Sequence, residues 1–194
     1  MSKNQGLELL PSAGLASWLG QHAVSLAFTT YQAGKIFLIG LDPSGERLSI
    51  FERSFARSMG FAASEDGRTL WLAAQFQLWR FTDFLSREGP RGGFDAMYIP
   101  IEGRTVGEVD IHDIHPREGA PPLFVVSRFN CIATLDEENS FAPVWMPRFI
   151  DAVVAEDRCH LNGMAIEADR PRYATCVATT NEGGAWRAHR RTGG

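Results

Sequence analysis

The chain has 194 residues, 44% of them hydrophobic and 22% charged, and its 19 basic and 23 acidic residues give a net charge of −4. That length suits one domain, or one and a half, with a sizeable core, and the charge balance lacks the basic stripe of a nucleic-acid binder. No apolar run reaches the roughly 18 residues of a membrane-spanning helix, so a membrane partner is not expected.

Met1 to Glu8 carries a single cation, and Glu8 and Pro11 interrupt the apolar stretch that follows, so no secretory signal is expected. Cys131, Cys159 and Cys176 are odd in number and form no Cys-x-x-Cys pair, which points to buried thiols in a reducing compartment, with the cytoplasm as the expected location. Leu15, Trp18 and Leu19 fall at helical spacing, so residues 1–21 read as an N-terminal segment with a short helix covering an apolar surface. Residues 22–194 read as the main domain.

Three stretches of that domain repeat: Met59–Ala74, His112–Ser127 and Asn162–Val177. Each holds a short apolar strand, a polar turn rich in Gly, Asp or Pro, and a second apolar strand, with starts 53 and then 50 residues apart. Glu65-Asp66-Gly67 supplies the first turn, and Pro121-Pro122 and Arg170-Pro171 are expected to end one strand and set the next. The first two units continue with two more strands, Gln77–Phe81 and Ala96–Ile101, then Cys131–Leu135 and Phe141–Trp145. Four antiparallel strands in a unit of about 50 residues describe one blade of a β-propeller.

Ahead of these units, Ser25–Tyr31, Lys35–Leu41 and Arg47–Arg53 read as three strands of a blade lacking its innermost one, and the last unit stops near Thr179-Thr180. The expected fold is therefore all-β, a partial propeller of about three four-stranded blades. An ordinary β-sandwich explains the short strands but not the recurrence. Three blades fall short of the 4–8 of a closed ring, so a piece of a larger propeller, with no autonomous function, is one expectation.

Several strings carry a resemblance: Thr30–Leu41, Gln77–Phe81, Asp110–His115, Ala133–Glu137 and above all Glu156-Asp-Arg-Cys-His-Leu-Asn-Gly163. Over residues 22–190 the chain resembles the N-terminal half of a family of uncharacterised bacterial propeller proteins, known only as conserved hypothetical proteins or domains of unknown function. A shorter match, Asn162-Gly-Met-Ala165, is similar to the blade start of gluconolactonase and senescence-marker propellers. That similarity implies a divalent cation held by Asn162 at the channel mouth and a lactonase-type hydrolase.

Met59, His112 and Asn162 occupy equivalent positions and are expected to approach a common axis. The preceding loops add Asp110 before His112, and Glu156, Asp157, Arg158 and His160 before Asn162. In one reading His112, His160 and Asp110 are catalytic, with an imidazole as general base. Asn162, Arg158, Glu156 and Asp157 would then bind ligand. In the other, Asn162 and His112 hold a metal, Ca²⁺ or Mg²⁺ if the ligands are oxygens and a transition metal if imidazoles dominate.

Strand alternation predicts that His112 and Ile114 face the channel while Asp113 enters the blade interface. There Asp113 would tie neighbouring blades, with Arg158 as its partner. Trp71, Trp79, Phe81 and Trp145 read as blade packing, and Trp186 as a loop residue able to cover the channel mouth. The function expected is binding of a small ligand or divalent metal. A non-enzymatic module presenting its loops to a protein partner is the alternative.

Overall fold

The computed structural model describes residues 9–192; the leader reading of Met1–Glu8 and the last two glycines lie outside them. The described residues are built mainly of thirteen strands in four antiparallel sheets that follow one another along the chain. The first sheet holds β1 (Leu26–Thr30), β2 (Lys35–Leu41) and β3 (Leu48–Ser54), in that order. The second is β4 (Phe61–Ala63), β5 (Thr69–Ala73), β6 (Gln77–Asp83) and β7 (Tyr98–Thr105). The third is β8 (Ile111–Arg117), β9 (Ala120–Val126), β10 (Cys131–Thr134) and β11 (Ala142–Trp145). The fourth is the hairpin β12 (Leu161–Glu167) and β13 (Arg170–Cys176). The fold is all-β, in consecutive up-and-down sheets of the propeller-blade type.

The middle strands show why the blades stack. In β9, Leu123 to Val126 are all at most 1% exposed, because both faces of this blade are covered. Alternation sends Phe124 and Val126 towards the second sheet, into a core with Trp71, Ala73 and Leu78. It sends Leu123 and Val125 the other way, against Ile150, Cys159 and Leu161. The outer strands β7 and β11 bury little: Ile101 is 49% exposed, and Trp145, expected to pack, is 39% exposed on the rim.

The innermost strands β4, β8 and β12 lie side by side, and polar ties join neighbouring sheets around them. Thr29 Oγ1 donates to the Met59 carbonyl at 2.8 Å, the Gly60 N–H to the Ile111 carbonyl at 3.1 Å, and Ser127 Oγ to the Leu161 carbonyl. Gly60 is required for this approach, since a Cβ there would sit 3.0 Å from the Ile111 carbonyl oxygen. Asp113 adds another tie: its Oδ2 accepts the Met164 N–H at 2.9 Å and its Oδ1 the Ile114 N–H at 2.9 Å. The expected blade-linking role of Asp113 holds, but its partners are backbone amides and not Arg158.

Ile114 departs from the alternation. A register shift lies between Ile111, opposite Val126, and Ile114, opposite Phe124, so both isoleucines enter the same core at 4% exposure. This bulge puts Ile114 inside and leaves His112 and Asp113 between two anchored core residues. The proline pairs also sit differently from expectation. Pro121, Pro122 and Pro171 belong to the first residues of β9 and β13, where a missing N–H is tolerated. Gly119 at φ 65° turns the chain before β9, and Ala168 and Asp169, at φ 48° and 58°, form the two-residue turn before β13.

The helix expected near the N-terminus is α1 (Leu15–His22). Its Leu19 is 1% exposed against Phe37 and Ile39 of β2, a burial that contributes about 1.5–3 kcal/mol. The connection from β6 to β7 holds a short second helix, α2 (Leu85–Glu88), which composition did not suggest. Cys131 and Cys159 are buried, Cys176 is half-buried, and all three are free thiols. No helix among the described residues is long and apolar enough to cross a membrane.

Candidate functional site

Three blades enter their innermost strands through the same backbone device. Arg57, Asp110 and His160, each two residues before Met59, His112 and Asn162, have φ values of 52°, 54° and 51°. Side chains other than glycine adopt this left-handed region uncommonly, and such positions cluster at functional sites. The turn they make brings the loop residues over the ends of the strands. Two residues before the repeat start at Met59 stands Arg57, a position that the repeat alignment itself marks.

The side chains assemble around two imidazoles. His112 Nδ1 lies 2.8 Å from Asn162 Oδ1, joining neighbouring blades across 50 residues of sequence. The His112 and His160 rings stand 4.9 Å apart, nearly perpendicular at 83°. His160 Nδ1 lies 3.2 and 3.1 Å from the two oxygens of Asp157. Asp157 Oδ2 also accepts the Trp186 indole N–H at 2.9 Å, and the Trp186 ring stacks on His160 with centroids 4.1 Å apart. Trp186, 6% exposed, is carried by a 3-10 turn over Ala185–His189 and packs onto the site.

These contacts place a proton on Nδ1 of each ring, because a carboxylate and an amide oxygen only accept hydrogen bonds. Among the described residues no hydrogen bond engages Nε2 of either histidine. Burial, followed by the neighbouring His160, pushes the His112 pKa below the usual imidazole value, against the pull of Asn162, Asp110 and Asp157. His112 therefore stays neutral to lower pH than a free imidazole. The stability this gives is present above the ordinary value of about 6.5 and is lost progressively as pH falls from there to the folded value.

The other expected residues divide. Asp110 faces the first blade: its Oδ1 accepts Arg57 Nη2 at 3.2 Å, while Arg57 also binds Glu108 and donates from Nε to the Tyr31 hydroxyl at 3.0 Å. Arg158 and Glu156 form a cluster of their own. Arg158 Nε donates to Glu156 Oε2 at 2.8 Å, and its Nη1 to Asp151 Oδ1 at 2.5 Å and Asn181 Oδ1 at 2.9 Å. Among the described residues no side-chain hydrogen bond links this cluster to the histidines. Met59 contributes its carbonyl to Thr29.

Asn162 Oδ1 and His112 Nδ1, the two ligands expected, satisfy each other, and among the described residues no three His, Cys, Asp or Glu side chains converge with metal-holding geometry. These residues as placed do not fit a cation. An open cleft of about 1410 Å³ lies among the turns at Glu65–Asp66, Glu118–Gly119 and Ala168–Asp169; none of the expected site residues lines it.

The fold and this mouth define an all-β protein of propeller-type blades with a paired-histidine centre at the innermost strand starts. Residues 13–194 match the model of a family described as Domain of unknown function (DUF4915), and the chain belongs to that family. The match takes in α1 as well as the blades. No curated protein matches the chain. Among solved structures it is similar to virginiamycin B lyase from Staphylococcus aureus. A catalytically inactive variant with quinupristin matches at 16% identity and TM-score 0.44, over 71% of this chain and 41% of that one. The selenomethionine-substituted enzyme matches at 16% and 0.41, over 74% and 42%. The chain thus spans about two fifths of the lyase chains it matches.

Proposed function

We propose that the chain binds a small ligand at the His112–His160 mouth and acts on it by proton transfer, with hydrolysis of an ester or lactone as the reaction class. The observation that carries this reading is the pair of tethered imidazoles, each with Nδ1 spent on an acceptor and Nε2 unspent. His160 Nε2 takes a proton from water as its oxygen bonds to the acyl carbon, and returns it to the alkoxide as the acyl C–O bond breaks. Asp157 stabilises the imidazolium that forms between these steps. His112, held neutral, accepts a hydrogen bond through Nε2 and orients the water.

The test uses two probes, p-nitrophenyl acetate and δ-valerolactone, and compares the wild type with His160→Ala and His112→Ala. Turnover of at least one probe above buffer is expected, falling about 10²–10⁴-fold in His160→Ala and less in His112→Ala. No turnover of either probe, or turnover unchanged in both variants, rules the reading out. Turnover that appears only when a divalent cation is added also rules the metal-free reading out.

A further inference from the structure

The two halves of the site come from different blades, and one short turn touches the backbone of both. This is the 3-10 turn Ser127–Phe129 with Asn130 behind it, between β9 and β10. Towards the Asp110 loop, the Ser127 N–H donates to the Asp110 carbonyl at 3.1 Å and the Arg128 N–H to the Val109 carbonyl at 3.3 Å. Towards the His160 loop, the Arg128 carbonyl accepts the Asp157 N–H at 2.9 Å. Asn130 Oδ1 accepts the N–H groups of Arg158 at 2.7 Å and Cys159 at 3.1 Å, with the Cys159 thiol at 3.6 Å. Ser127 Oγ reaches the Leu161 carbonyl, between His160 and Asn162.

Asn130 is fully buried, and its Nδ2 has no partner among the described residues. An apolar side chain would avoid that orphan donor, so what the site gains from asparagine is the acceptor Oδ1. Its φ of 58° is a conformation asparagine tolerates. The amide thus receives consecutive N–H groups where the His160 loop turns into the left-handed region.

We infer that Asn130 is a positioning residue for the paired-histidine site: through Oδ1 it sets the Asp157–His160 loop against the His112 blade and so fixes the distance between the two imidazoles. The inference rests on the proton-transfer reading for its purpose. Its geometric content is independent, because the two rings have a separation whether or not any probe is turned over.

Two substitutions separate the acceptor from the backbone. Asn130→Gly keeps the left-handed conformation and removes Oδ1, whereas Asn130→Asp keeps an acceptor oxygen at the same reach. Both are compared with the wild type by NMR of the histidine ring protons, with circular dichroism reporting the fold. The wild type is expected to show ring-to-ring cross-peaks between His112 and His160. They should disappear in folded Asn130→Gly and persist in Asn130→Asp. Cross-peaks unchanged in Asn130→Gly, or lost equally in both folded variants, overturn the inference. Should Asn130→Gly not fold, Asn130→Ser carries the same comparison. Its hydroxyl is too short to reach both N–H groups, and an unchanged ring signal there overturns the inference equally. A failure of probe hydrolysis with these cross-peaks behaving as expected would sink the functional reading and leave the positioning role standing.

Discussion

Phe124→Ala is expected to be the most destabilising single truncation in the blades, costing about 3–5 kcal/mol. Phe124 is 0% exposed at the centre of β9 and packs in the core formed with Trp71, Ile111, Ile114 and Val126. Both neighbouring sheets hold this site in place, so the surroundings have little freedom to collapse into the space left behind. Against a total stability of about 5–15 kcal/mol for a domain, such a loss takes a large share. Chemical denaturation should show a much lower midpoint with a similar slope. Phe124→Leu, which keeps more of the buried volume, should lose less. A Phe124→Ala midpoint within error of wild type would mean that the stacking of the second and third sheets is not what holds the arc together.

Asp157→Asn is expected to lower turnover of the ester or lactone probe by about 10²–10⁴-fold with the fold intact. Asp157 accepts from His160 Nδ1 and from the Trp186 indole, and Arg187 Nη2 stands 4.0 Å from it. An asparagine there has one oxygen and one NH₂ group. Turned one way it offers a donor to His160 and drives the proton to Nε2, which removes the base. Turned the other way it still accepts from Nδ1 but no longer stabilises the imidazolium with a charge. The loss is therefore expected in the rate constant at saturating probe more than in the concentration for half-saturation. Equal rates for Asp157→Asn and wild type would remove His160 from the proposed base role.

Much of the fold was legible because the repeat has two independent marks, a 50-residue recurrence and short apolar strands separated by polar turns. Strands such as Cys131–Thr134 and Ala142–Trp145 follow from those marks almost residue for residue. What escaped was set by backbone geometry that side-chain patterns do not encode. The bulge in β8 reverses Ile114 because Ile111 and Ile114 both gain from the same core. The left-handed positions at Arg57, Asp110 and His160 carry no glycine to announce them.

At the site, the meeting of His112 with Asn162 could be read from their equivalence in the repeat, since equivalent positions on adjacent blades are neighbours. Arg158 could not be placed that way. Its guanidinium was free to serve any carboxylate in reach, and Glu156 and Asp151 lie nearer than Asp113. Asn130 gave no sequence signal: an asparagine after Ser127-Arg128-Phe129 reads as a turn former, and its burial between two loops is a tertiary fact.

The central claim is that two imidazoles share this site with their Nδ1 atoms tethered and their Nε2 atoms free of hydrogen bonds among the described residues. Nitrogen-15 NMR of the histidine rings tests it most directly, because the shifts of Nδ1 and Nε2 distinguish the tautomers. Both His112 and His160 should carry a proton on Nδ1, and on lowering the pH His112 should titrate below about 6.5. An Nε2-protonated ring at either position, or a His112 that titrates above that value, would contradict the account.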